Sequence, residues 1–198
     1  TSAQRGRAGA FTHVFLQGGV GGMAAGLASY FWEYHGPQRP CFISVEPAQA
    51  DCLLQSAIQG RPAKATGTVD SVMAGLACGE TSPLAWRFLQ PCVDVFMTIE
   101  DEQAIEAMRT LAQGSERDTP IVVGESGVAG LAALEWLRSD PQRSEQVGLT
   151  AESRVLIIST EGATAPREYT RLVGQSAEQV LQRQHAWQAA HALQTPPA

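Results

Sequence analysis

The strongest constraint on the fold is a glycine-rich turn between two segments of different periodicity. The apolar run His13–Gln17 is followed by five residues, 18–22, of sequence GGVGG, and then by the alanine-rich and aromatic segment Met23–His35. This order predicts a strand, a tight turn and a helix, which ends at the Gly-Pro pair that follows. Such a turn lets backbone amides converge on an anion at the positive end of a helix, or it simply packs a helix onto a strand.

The same alternation continues along the chain. Further strands are predicted over Pro40–Val45, Val93–Ile99, Ile121–Val123 and Arg154–Ser159. Further helices are predicted over Asp51–Gln59, from Pro83 to about Gln90, and over Asp101–Gln113, Val128–Arg138 and Gln175–Leu193. Strands that alternate with helices predict an α/β fold, a mainly parallel open sheet with helices on both faces. Thr1–Phe11 is polar and rich in Arg, Gly and Ala, and is expected to be a linker or ragged N-terminus.

Composition and charge exclude several classes of protein. With 44% hydrophobic and 17% charged residues, the 198-residue chain has the composition of a folded globular protein. No apolar run approaches the roughly 18 residues of a spanning helix, so a membrane protein is not expected. The net charge of −6 and the scattered basic residues argue against a nucleic-acid partner.

The cysteines and histidines do not form a recognisable metal motif. Cys41, Cys52, Cys78 and Cys92 include no CxxC pair, and His185 and His191 are six residues apart in a polar segment. No metal site is therefore predicted. The cysteines are expected to be reduced, mostly buried thiols of a cytoplasmic protein.

The glycine-rich turn differs from the two common nucleotide-binding loops. It lacks the Gly-Lys-Ser/Thr end of a P-loop. It also lacks a GxGxxG pattern with an acidic residue about 20 positions later at the end of a second strand. A phosphorylated small cofactor is therefore favoured over a nucleotide, and a structural turn without a ligand is the alternative.

Five separated segments resemble a known family. They are HVFLQGGVGGMAAGL at His13–Leu27, VEP at Val45–Pro47, MAGLACGE at Met73–Glu80, GESG at Gly124–Gly127 and STEG at Ser159–Gly162. In this order they resemble the pyridoxal-phosphate enzymes of the tryptophan-synthase-β type, also called fold type II. Within that family the string Met73–Glu80 is similar to the 2,3-diaminopropionate ammonia-lyases. The resemblance runs over residues 12–174, which it marks as a cofactor-binding α/β domain, with 175–198 as a helical tail.

The resemblance implies pyridoxal 5′-phosphate as cofactor and assigns residues to it. The phosphate-binding residues it implies are Gly19, Val20, Gly21, Gly22 and Met23. A hydroxyl at the end of the last strand, from Ser159 or Thr160, would bond the pyridine nitrogen, and Glu125 would lie beside the ring. The alternatives are ordinary strand-end capping for the two hydroxyls and, for Glu125, an exposed carboxylate at a helix N-terminus.

The resemblance also implies a missing part. These enzymes hold the cofactor as a Schiff base on a lysine of their N-terminal half, and the single lysine here, Lys64, is predicted to be a solvated loop residue. The chain is therefore expected to be the C-terminal portion of a homodimeric ammonia-lyase that converts 2,3-diaminopropionate to pyruvate and ammonia. On its own it would contain no catalytic residue and be inactive. The alternatives are a fragment of a threonine or serine dehydratase and a non-catalytic phosphate- or anion-binding module.

Overall fold

A four-stranded parallel sheet organises the molecule, which a computed structural model describes for residues 10–192. The strands are β1 (His13–Gln17), β2 (Cys41–Pro47), β3 (Val95–Ile99) and β4 (Val155–Ile157), and their order across the sheet is β3-β2-β1-β4. Both neighbours of β1 run parallel to it, β2 over five residue pairs and β4 over three. The predicted parallel α/β sheet is confirmed.

Eight α-helices accompany these strands in the described part of the chain. They are α1 (Gly22–His35), α2 (Cys52–Gln59), α3 (Pro83–Cys92), α4 (Asp101–Gln113), α5 (Ala129–Arg138), α6 (Pro141–Val147), α7 (Pro166–Val173) and α8 (Ala177–Ala192). The predicted end of the last helix at Leu193, and most of the predicted N-terminal linker, lie outside the described residues. No helix within residues 10–192 is long and apolar enough to cross a membrane.

The two faces of the sheet carry separate hydrophobic cores because side chains alternate along each strand. Phe15 of β1 packs on one side with buried residues of α4, α5 and α7. Its neighbours Val14 and Leu16 pack on the other side with buried residues of α1, α2 and α3. Helices therefore cover both faces, as the sequence predicts.

Ile121–Val123 was wrongly predicted as a strand. Its Ile121 amide donates to the Leu111 carbonyl, and the Gly124 amide that follows donates to the Glu161 carbonyl. The segment thus runs from the end of α4 to the end of β4 instead of lying alongside a neighbouring strand. Helices α6 and α7 were missed, although each has Pro at its first position and Gly directly after its last.

The parallel arrangement sets the position of the site. Because the strands are parallel, their carboxyl ends meet at one edge of the sheet, where ligands of open α/β folds bind. The turn after β1 and the segment after β4 share that edge, since these strands are adjacent. Residues far apart in sequence are thus brought together.

Candidate functional site

A cavity of about 280 Å³ lies at the carboxyl ends of β1 and β4. It is lined by residues from five segments: Gln17, the loop residues Gly19, Val20, Gly21, Gly22 and Met23, then Gly75, Leu76 and Cys78, then Ser126, and finally Thr160 and Glu161. The predicted phosphate-binding turn and one of the two predicted ring-nitrogen hydroxyls therefore line one cavity. Ser159 and Glu125 are not among the lining residues.

The glycine turn presents the open N-terminus of α1 to the cavity. Gly21 is the N-cap residue, with φ 99°, and no side chain caps the helix. A side chain at Gly21 would be strained by that φ, and its Cβ would lie 2.8 Å from Leu89 Cδ1. Gly22 differs, because a Cβ there would meet nothing within 4 Å. The first-turn amides of α1 are thus available to a ligand, and the positive helix end favours an anion.

The surrounding loop requires glycine for close approach as well as for backbone conformation. A Cβ on Gly19 would lie 3.1 Å from Cys78 Sγ, and Cys78 also lines the cavity. A Cβ on Gly18 would lie 2.7 Å from Glu46 Cγ, beneath the turn. These residues fit a phosphorylated ligand, because the turn combines amide donors, no acidic residue in the first turn of α1 and a small cavity.

The two candidate hydroxyls at the end of β4 have different surroundings. Thr160 lines the cavity, whereas the Ser159 hydroxyl donates a long bond of 3.4 Å to the Glu161 carbonyl. Both residues lie beyond the last paired residue of β4, Ile157. The geometry favours Thr160 for a contact with a ligand in the cavity.

Glu125 is half-buried and does not line the cavity, whereas its neighbour Ser126 does. Burial raises the pKa of the Glu125 carboxyl, and the charges of Glu161 and Glu168 raise it further. Ser126 does not cap the helix that follows, because the N-cap residue of α5 is Val128. The Ser126 hydroxyl instead accepts a 2.9 Å hydrogen bond from the Gly75 amide, which joins two walls of the cavity.

Sequence reasoning missed several lining residues, above all Gln17 and Glu161. Glu161 Oε1 accepts hydrogen bonds from the Ser126 amide at 2.5 Å and the Gly127 amide at 3.2 Å. Gln17 is a polar residue that follows three apolar residues at the end of β1, directly before the glycine turn. That position was a signal available from the sequence.

Lys64 lies away from this cavity. Its Nζ is 2.8 Å from Glu80 Oε1, and about four-fifths of its side chain is exposed, 79%. The ion pair with Glu80 raises the pKa of Lys64. The prediction of a solvated loop lysine is confirmed. Within residues 10–192, no group of three or more His, Cys, Asp or Glu side chains is arranged to hold a metal ion.

The fold and the site together define a class of protein. A family model described as "Pyridoxal-phosphate dependent enzyme" matches residues 2–161, and the chain belongs to this family. It is 41% identical to diaminopropionate ammonia-lyase of Escherichia coli (strain K12) over 165 residues, which are 82% of this chain and 42% of that protein. It is 39% identical to the diaminopropionate ammonia-lyase of Salmonella typhimurium (strain LT2) over 174 residues, 84% of this chain and 43% of that protein.

A solved structure extends the similarity to three dimensions. The Escherichia coli diaminopropionate ammonia-lyase in complex with an aminoacrylate-PLP azomethine reaction intermediate superposes with a TM-score of 0.75 at 40% identity. The match covers 84% of this chain and 43% of that structure. The chain thus spans less than half the length of the curated relatives it matches.

Proposed function

We propose that this chain is the cofactor-binding portion of a pyridoxal-phosphate-dependent ammonia-lyase. The overall reaction would convert 2,3-diaminopropionate and one water into pyruvate and two ammonia. The identity of 41% with the Escherichia coli enzyme supports this substrate. The observation that carries the proposal is the single cavity where the glycine turn of α1 faces Thr160.

The chain's own share of the chemistry is binding and orientation. The amides of Gly21, Gly22 and Met23, with Gly19 and Val20 beside them, would hold the cofactor phosphate at the positive end of α1. We assign the ring-nitrogen bond to Thr160 because Thr160 lines the cavity and Ser159 does not.

Thr160 and Glu125 would act on the cofactor in different ways. A neutral hydroxyl leaves the ring nitrogen largely unprotonated, and bound pyridoxal phosphate supplies the electron sink for the elimination. Glu125 would influence the ring from behind Ser126, its neighbour on the cavity wall.

The covalent anchor would come from outside these 198 residues. The one lysine of the chain is held at the surface by Glu80, and no lysine lines the cavity. We therefore propose that the chain alone binds the cofactor without forming a Schiff base and is inactive. We assign residues 12–174 to the cofactor domain and 175–198 to a helical tail.

The assembly and the compartment are also proposals. Exposed aromatic side chains on α1 and α3, among them Tyr30, Trp32 and Phe88, support a homodimer because they leave apolar surface in water. Cys52, Cys78 and Cys92 are thiols, which is consistent with the reducing cytoplasm.

A binding experiment with a lysine variant tests the proposal. The wild-type chain and Lys64→Arg are titrated with pyridoxal 5′-phosphate, treated with borohydride and analysed by mass spectrometry. Both should bind the cofactor with equal affinity, give no adduct at residue 64, and release no pyruvate from 2,3-diaminopropionate. A reduced adduct on Lys64, or pyruvate from the chain alone, would contradict the assignment of the anchor to another segment.

The substrate is tested by restoring a lysine-bearing segment. The chain is fused behind the part of the Escherichia coli relative that precedes the matched region. The fusion should release pyruvate and two equivalents of ammonia from 2,3-diaminopropionate. Faster turnover of threonine or serine would make the chain a dehydratase portion, and a well-folded fusion that binds inorganic phosphate but no cofactor would make it an anion-binding module.

A further inference from the structure

The side chain of Gln17 joins three segments beneath the cavity. Gln17 ends β1, and only 3% of it is exposed. Its Nε2 donates to the Gly127 carbonyl at 3.1 Å and to the Ile158 carbonyl at 2.5 Å. One carboxamide therefore fixes the start of the glycine turn to the turn before α5 and to the end of β4.

The orientation of this carboxamide follows from its partners. Both are carbonyl oxygens, which accept and cannot donate, so the nitrogen must face them. Within the described residues, Gln17 Oε1 is then a buried acceptor with no hydrogen-bond partner. Burying an unpaired acceptor costs stability, so these two bonds bring little net gain to the fold. Stability alone does not explain a glutamine here.

Gln17 acts on the segment that contains Thr160. Ile158, whose carbonyl it binds, lies two residues before Thr160. Glu161, directly after Thr160, is held in turn by the Gly124 amide on its carbonyl at 3.2 Å and by the Ser126 amide on its side chain. Thr160 is thus fixed on both sides, and Gln17 makes the link that comes from the strand bearing the glycine turn.

We propose that Gln17 is a positioning residue. It sets the distance between the phosphate seat, which is the group of amides at the start of α1, and a second seat, which is the Thr160 hydroxyl. This inference rests on the proposed function, because it assumes a ligand that occupies both seats at once. A ligand with only a phosphate uses the α1 amides and is indifferent to Thr160. A ligand with a phosphate and a pyridine ring contacts the α1 amides and the Thr160 hydroxyl at once, so its binding depends on the distance between them.

Two probes separate these cases in the full 198-residue chain. Inorganic phosphate occupies the first seat only, and 4′-deoxypyridoxine 5′-phosphate occupies both without an aldehyde that reacts with amines. Calorimetric titration is carried out on the wild type, Gln17→Met, Thr160→Val and the double variant. His13→Met is the matched control, because His13 is buried on the same strand and its Nε2 bonds the Val147 carbonyl away from the cavity.

The expected result is selective and non-additive. Gln17→Met should lower the affinity for 4′-deoxypyridoxine 5′-phosphate roughly tenfold and the affinity for inorganic phosphate less than about twofold. The double variant should bind no more weakly than Thr160→Val alone, because Gln17 acts through Thr160. His13→Met should leave both affinities unchanged.

Other outcomes are separable. Equal weakening of both probes by Gln17→Met, or additive losses in the double variant, would overturn the positioning role and leave the proposed function intact. A wild-type chain that binds neither probe would overturn the proposed function itself. If Gln17→Met does not fold, Gln17→Leu, which is neutral and has no amide donor, is titrated against the same criteria. Failure of both to fold would make Gln17 a fold residue and also overturn the inference.

Discussion

Helices α1 and α2 begin at the same edge of the sheet, but only the backbone amides at the start of α2 have a side-chain acceptor. At α2 the Glu46 carboxyl accepts the Leu53 amide on Oε1 and the Leu54 amide on Oε2, each at 2.8 Å. At α1 the N-cap is Gly21, no side chain accepts the amides, and the first turn contains no acidic residue. One helix start is bonded to the protein's own carboxyl group, and the other has no side-chain cap.

The difference supports the proposal that the glycine turn binds a ligand. At α2 the first-turn amides are bonded to an acceptor from the protein itself. The turn before α1 has no such acceptor and opens into a cavity. The two starts also touch, because a Cβ on Gly18 would lie 2.7 Å from Glu46 Cγ. The buried Glu46 thus packs beneath the turn, while its carboxyl group accepts the amides of α2 and not those of α1.

The largest effect is expected from giving α1 its own carboxylate. Gly22→Asp places an acid at the first helical position, where a Cβ has open space. Repulsion of the phosphate should lower the affinity for 4′-deoxypyridoxine 5′-phosphate about 100-fold, while the helix itself is stabilised by the favourable charge. Calorimetry and thermal unfolding measure the two effects.

Gly26→Asp is the matched control for Gly22→Asp. Gly26 lies in the same helix with open space around its Cα, but it does not line the cavity. The affinity of Gly26→Asp for 4′-deoxypyridoxine 5′-phosphate should stay near that of the wild type. Equal losses at both positions would mean that the effect is one of net charge and that α1 does not hold the phosphate. Gly21→Asp is less informative, because strain at φ 99° would confound it.

The occupied N-terminus of α2 should give the protein a pH dependence. Burial raises the pKa of Glu46 from 4.5 to about 8, against the lowering effect of the Leu53 and Leu54 amides. Between these values the folded protein keeps a proton that the unfolded chain has lost. The free energy of unfolding should therefore fall as pH rises through this window, by up to about 1.4 kcal/mol per pH unit.

The Glu46→Gln variant separates the contribution of Glu46 to the pH dependence of unfolding from those of the other titratable groups. Urea unfolding at pH 5, 6, 7 and 8 should show a flatter profile for Glu46→Gln than for the wild type. Glu102→Gln, an exposed position on α4, should leave the wild-type slope unchanged. Parallel profiles for the wild type and Glu46→Gln would show that Glu46 titrates normally and that the α2 start is not held as described.

The smallest effect is expected where the two helix starts meet. Cys52 Sγ lies 3.4 Å from the Gly19 carbonyl and 3.6 Å from Glu46 Oε1. Burial raises the pKa of its thiol to about 12, so it stays a neutral donor. Cys52→Ala should cost about 1 kcal/mol of unfolding free energy and change ligand affinity less than about twofold. Cys92→Ala is the control, and a tenfold affinity loss specific to Cys52→Ala would make the thiol part of the ligand seat.

Local signals made much of the fold and half of the site predictable. The boundaries of β1 and α4 and the start of α3 coincide with the predictions, because an apolar run, an acidic first turn and a proline are signals within the element itself. The glycine turn was recognised for the same reason. Ile121–Val123 was mistaken for a strand because three apolar residues become a strand only if a partner strand lies beside them.

The rest of the site depends on contacts that sequence spacing does not encode. Ser126 bonds the Gly75 amide, 51 residues earlier, and Gln17 bonds the Ile158 carbonyl, 141 residues later. The choice between Ser159 and Thr160 required knowing that β4 ends at Ile157 and which way the chain turns afterwards. A polar residue after three apolar residues was visible, but its partners were not.

Amide chemical shifts compare the two helix starts in one experiment. The ¹⁵N-labelled chain is titrated with 4′-deoxypyridoxine 5′-phosphate, and the backbone amide signals of both starts are followed. The amides of Gly21, Gly22 and Met23 should shift in a saturable way, while those of Leu53 and Leu54, already bonded to Glu46, should stay in place. Shifts at Leu53 and Leu54 with none at the α1 start would contradict the assignment of the phosphate to the glycine turn.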